Sequence, residues 1–181
     1  MHVMMAVILA AVLVFIASSL IHMVFKWHNS DYLALGNEDE VREAIRKTGP
    51  GPGQYVIPHC PDMKQMGSPE MQQKFKDGPV GFLTLRQPGP PAMGGHLARW
   101  FGLNLLVAAF VAFIACSLTP GADVHRVFHV AAMITFIAYG AGAISDGIWK
   151  GEPWRSVGKD LLDALIYGIV SGIAFAWLWT P

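Results

Sequence analysis

Four long apolar stretches constrain this chain more than anything else in it. They are VMMAVILAAVLVFIASSLIHMVF (3–25), ARWFGLNLLVAAFVAFIACSL (98–118), VHRVFHVAAMITFIAYGAGAISDGI (124–148) and DLLDALIYGIVSGIAFAWLW (160–179). A hydrocarbon core about 30 Å thick is crossed by about 20 apolar residues in a helix. Inside lipid the backbone must bond to itself, so a helix is the form such a stretch takes. The expectation is an all-α membrane protein with four transmembrane helices. Thr119-Pro120-Gly121 is expected to stop the second of them.

Charge distribution supports this division. Charged residues are 14% of the 181, against about a quarter in soluble domains. They crowd into residues 26–97, a polar insert between the first span (1–25) and the remaining spans (98–181). Formal net charge is zero, so no nucleic-acid partner is implied. The first stretch has no basic leader, is too long for a secretion signal and shows no clear cleavage site, which predicts a retained helix.

Basic residues set the expected orientation. The insert side carries nine lysines and arginines between Lys26 and Arg99, and the 3–4 connection carries Lys150, Arg155 and Lys159. The 2–3 turn carries only Arg126. The insert and the 3–4 loop are therefore expected in the cytoplasm, with both termini periplasmic. Trp27, Trp100, Trp149 and Trp154 fall near the inner surface, and Trp177 and Trp179 near the outer one, as an aromatic belt would.

The insert reads as a small α+β unit. Asn37 is placed to cap a helix over 38–47, with acids in its first turn and bases in its last. Val41, Ala44 and Ile45 form its apolar stripe. QYVIP (54–58) and VGFLTL (80–85) read as short strands, and Ser68-Pro69 opens a helix between them.

In lipid, helices associate through small residues and buried polar contacts. Gly168, Gly172 and Ala176 form such a seam on the fourth span, with Ala138 and Gly142 expected to face it from the third. His22, Asn104, Thr135, Ser145 and Ser171 are polar groups in or near spans, read as packing contacts.

Candidate sites are fewer. His125 and His129 stand at i and i+4, one helix face, which suits a shared metal. With His2 and the nearby methionines they would suit copper or another transition metal. The plainer reading is a pair of interfacial side chains. HCPDMKQM (59–66) offers soft ligands but no paired CxxC, and reads as a proline-bounded turn. Asp146 and Asp163, with Tyr167 one turn beyond, define a possible ion or proton path at the inner surface. Acids at a helix start are also favoured by its dipole without further role. No nucleotide loop, zinc-protease motif or nucleophile elbow appears, so no complete reaction site is legible.

The run Asp146-Gly147-Ile148-Trp149-Lys150-Gly151-Glu152-Pro153-Trp154, with its Gly-x-Pro loop before the last span, resembles uncharacterised small four-helix bacterial inner-membrane proteins. The resemblance implies a bacterial inner membrane and no particular chemistry. The functional expectation is a non-enzymatic accessory or scaffold protein, held in the lipid bilayer beside a larger membrane complex or as a homo-oligomer. A metal-binding or redox protein and a proton-linked small-solute transporter are the alternatives.

Overall fold

The computed structural model describes residues 2–118, 121 and 123–179. Met1, Thr119 and Pro120, the last two read above as the stop of the second span, lie outside the described residues. Four helices are long and apolar enough to cross a membrane: His2–Phe25, Met93–Ser117, Val124–Lys150 and Trp154–Leu178. This is the pattern of a multi-pass membrane protein. The chain divides into two units, one of residues 1–32 and 92–181, the other of 33–91.

In the first unit, α1 (His2–Ser19) is prolonged by a wider π-helical turn, Leu20–Phe25. Lys26 then adopts a left-handed backbone, φ 53°, and its N–H closes onto Ile21 O at 2.9 Å. A side chain in that region costs about 1–2 kcal/mol. The reversal turns a short 3-10 segment, Trp27–Asp31, back against the last helix. π-turns of this kind are rare and concentrate at functional sites.

In the second unit, α2 (Glu38–Thr48) and α3 (Pro69–Asp77) accompany an antiparallel pair, β1 (Gly53–Ile57) and β2 (Gly81–Leu85), with Tyr55 opposite Leu83. Ser68 Oγ accepts from Met71 N at 3.2 Å and caps α3 as its sequence predicts. Asn37 makes no such cap; its amide donates to Glu40 at 3.3 Å instead. The stripe Val41, Ala44 and Ile45 faces Tyr55, Ile57 and Leu83 across an apolar groove.

The bundle is completed by α4 (Met93–Leu118), α5 (Val124–Lys150) and α6 (Trp154–Leu178). Asp123 caps α5, accepting from Arg126 N at 2.8 Å. At the other end Gly151 takes the left-handed conformation that ends it, φ 73°. Pro153 follows, so α5 and α6 form a tight antiparallel pair. Small residues set their distance. A Cβ on Gly168 would lie 2.7 Å from Ala132 O, and one on Gly172 would lie 2.8 Å from the Phe128 ring. Gly142 faces open space, and Ala138 is exposed on the same helix. The groove opposite α6 is made instead by Gly140, whose Cβ would meet Leu161 and Ala164, and by Gly147 against Val157. Ala176 is only half-buried, while Ala174 and Phe175 beside it are fully buried.

The two halves of the bundle differ. Toward the start of α1 the core is dry, built from Ala6, Ala10, Val111, Val127, Ala131 and Phe175. Toward Lys26 it turns polar and aromatic, around Tyr167, Trp27, Trp100 and Tyr139. Outward faces carry apolar side chains such as Leu106, Phe110, Phe113 and Ile137. Such exposure suits a lipid surrounding.

Candidate functional site

The π-turn and the left-handed Lys26 together place His22 and His28 beside Asp163, 135 residues after His28 in the chain. Asp163 lies in the third turn of α6 and its side chain is 6% exposed. Both of its oxygens are engaged. Trp27 Nε1 donates to Oδ1 at 3.1 Å, and His28 Nε2 stands 3.0 Å from Oδ2. His22 Nε2 is 3.6 Å from the same Oδ2, with its ring centroid 4.8 Å from that of His28.

His28 Nδ1 faces a second carboxylate, Asp31 Oδ2, at 2.9 Å. Each ring nitrogen of His28 thus meets a carboxylate oxygen. Lys159, one turn before Asp163 on α6, fixes the other side of the loop. Its ammonium donates to Trp27 O at 2.7 Å and Ser30 Oγ at 2.8 Å, and pairs with Asp31 Oδ1. The Lys159 ammonium holds the Asp31 carboxyl below the usual carboxylate range, against the opposing effect of burial.

Next to this cluster is a cavity of about 450 Å³. Its walls include Asp146, Glu152, Asp160 and Asp163 on the acidic side, and Trp100, Tyr139 and Tyr167 on the aromatic side. Lys150 bonds Asp146 at 2.8 Å. Burial, and after it the charges of Asp160 and Asp146, push the Glu152 carboxyl above its ordinary value. Tyr167 packs edge-on against both Trp100 and Tyr139, which are tilted to one another, with the three centroids 5.3 to 6.3 Å apart.

Polar groups continue from this cavity into the bundle. Tyr167 is one turn past Asp163, 4% exposed, and its hydroxyl has no hydrogen-bond partner among the described residues. Tyr139 touches Tyr167 and donates to Asn104 Oδ1 at 2.7 Å. Thr135, one turn from Tyr139, donates to Ser171 at 3.0 Å. Asn104, Thr135, Tyr139 and Ser171 surround one narrow gap, beyond which the core is dry. Polar groups at this depth are costly in a membrane unless partnered.

The structure brings Asp146, Asp163 and Tyr167 onto one cavity. It leaves His125 and His129 exposed at the opposite end of α5, their rings stacked with centroids 5.5 Å apart. His2 is exposed too. Among the described residues, the one group of three whose ligand atoms converge is His22, His28 and Asp163, without His2, His125 or His129. By sequence alone His22 reads as a packing contact and Trp27 as an interface anchor, and His28 and Asp31 do not stand out. The available signal was local: two histidines six apart, and HNSD directly after a span.

No known protein family, curated protein or solved structure matches the chain. Its class therefore rests on its own geometry: a four-helix, membrane-type bundle with a buried acid–histidine cluster at one end.

Proposed function

We propose that the chain is a multi-pass membrane protein that takes up protons, or a solute linked to them, at the acid–histidine cluster. The single observation carrying this reading is the polar column from Asp31 and His28 through Asp163 and Tyr167 to Tyr139 and Asn104. Each member is a titratable or hydrogen-bonding group, and an unpartnered buried hydroxyl sits in the middle. Such groups are retained inside membranes where protons or ions move. The column stops at the dry half, so it is an access path from one side.

Twelve of the thirteen basic residues fall, in sequence, within the connections 26–99 and 150–159 that join the spans on this side, which supports a cytoplasmic mouth in a bacterial inner membrane, with both termini periplasmic. The test is proton uptake by liposomes containing the purified protein, driven by a potassium diffusion potential. Uptake should exceed that of protein-free liposomes and fall at least about tenfold in Asp163→Asn. Uptake equal in the two proteins, or no greater than in empty liposomes, refutes the reading.

An accessory role stands beside it as a second proposal. It is supported by the broad exposed face of α4, with Leu103, Leu106, Phe110 and Phe113, which fits lipid or another helix. Native mass measurement after gentle extraction tests it; a lone monomer with no associated chain counts against it.

A further inference from the structure

We infer that His22, His28 and Asp163 form a binding site for a divalent first-row transition-metal ion. Their ligand atoms, two imidazole nitrogens and a carboxylate oxygen, all lie within 4.8 Å of one another. Asp163 Oδ2 is 3.0 Å from His28 Nε2 and 3.6 Å from His22 Nε2. Ligands about 2.1 Å from a tetrahedral ion stand about 3.4 Å apart, so these separations already bracket what an ion requires. The remaining adjustment falls on His22, whose side chain is 51% exposed and free to swing.

The surroundings are those of a supported site. Asp31 holds His28 through Nδ1 and so points Nε2 at the ion, the carboxylate–histidine–metal arrangement that raises ligand basicity. The Trp27 indole takes Asp163 Oδ1, leaving Oδ2 to coordinate. Lys159 is occupied by Asp31, Ser30 and the Trp27 carbonyl. Three protein ligands leave positions open, and the adjoining cavity, to which His22 and Asp163 both contribute, is where water or a small ligand would complete the shell. Two imidazoles and a carboxylate suit zinc, cobalt, ferrous iron or cupric copper; the set has no thiolate or thioether for cuprous copper. An ion here takes the place of the hydrogen bond between His28 Nε2 and Asp163 Oδ2, and both atoms turn into ligands.

This inference shares Asp163 with the proton reading but does not depend on it. The test is titration of the detergent-purified, chelator-stripped protein with Co²⁺, followed by visible absorption and equilibrium dialysis. The expected result is one ion per chain, lost in His28→Ala and Asp163→Asn and weakened about 10–100-fold in Asp31→Asn, as for other orienting carboxylates. His22→Ala, at a half-exposed position where the fold is not at stake, must also lose the ion, while His129→Ala must keep it. Binding no tighter in the wild type than in His22→Ala overturns the site, as does loss in His129→Ala. A protein that binds Co²⁺ yet passes no protons retains the site and loses the relay; one that passes protons and binds no Co²⁺ does the reverse.

Discussion

The indole nitrogen of Trp27 lies 3.1 Å from Asp163 Oδ1, joining the reversal after the first span to the third turn of the last. A hydrogen bond to a charged group contributes about 1.5–3 kcal/mol, and its loss leaves a buried oxygen without a donor. Trp27→Phe keeps an aromatic ring and removes the N–H together with the five-membered part of the indole. It should lower stability by about 2 kcal/mol in thermal unfolding of the detergent-solubilised protein. A change under about 0.5 kcal/mol, the ordinary range for surface substitutions, would show the bond to be incidental.

Tyr167→Phe separates structure from function. The hydroxyl is buried and unpartnered, and such a group costs about 1–3 kcal/mol. Its removal should leave melting temperature unchanged or higher while proton uptake falls. A variant that is less stable would reveal a structural bond at that oxygen; unchanged uptake would remove Tyr167 from the path.

The α5–α6 seam gives a paired comparison. Gly168→Ala places a methyl 2.7 Å from a backbone carbonyl that cannot move aside, and overpacking of this kind costs about 1–3 kcal/mol. Gly142→Ala meets open space and should leave stability within about 0.5 kcal/mol or raise it. Equal melting temperatures for the two variants would mean that α5 and α6 do not cross where described.

Acid dependence should be visible at Glu152. Its carboxyl titrates above the ordinary value in the folded chain because of burial and of Asp160 and Asp146. Between the ordinary and the raised value the folded state holds more protons than the unfolded one, so stability falls as pH rises through that window. Glu152→Gln removes this loss. The variant should be more stable than wild type at neutral pH, and the difference should vanish below the ordinary glutamate range. A difference independent of pH would place the effect elsewhere.

Much of the architecture is written in local pattern. Long apolar stretches separated by turns yield the four helices, and strand alternation around Gly-Pro breaks yields the small sheet, because both depend on neighbours in sequence. The cluster is less legible. Asp163 and Tyr167 stand out as polar groups inside a span, but what they meet is set by the chain's reversal at Lys26. That reversal uses a π-turn and a left-handed lysine, neither of which has a residue signature as glycine does. HMVFKWH therefore reads as the end of a span with an interfacial tryptophan, when it folds back onto α6. The seam shows a finer failure. Gly140 and Gly142 differ by two residues, about 200° around a helix, and one faces α6 while the other does not. Composition shows that small residues are present; only packing decides which of them face the neighbour.

The apolar half of the bundle is packed on buried alanines, Ala6, Ala10, Ala108, Ala112, Ala131 and Ala174, with Val111, Val127 and Phe175 among them. With these small side chains fully enclosed, it is the region least able to accept growth. Enlarging Ala10 or Ala131, both fully enclosed, would prise helices apart along their length, whereas a bulky reporter at lipid-facing Phe113 would go unnoticed. Probes meant to follow this protein at work belong on the greasy exterior, and cross-links meant to stop it belong among the alanines.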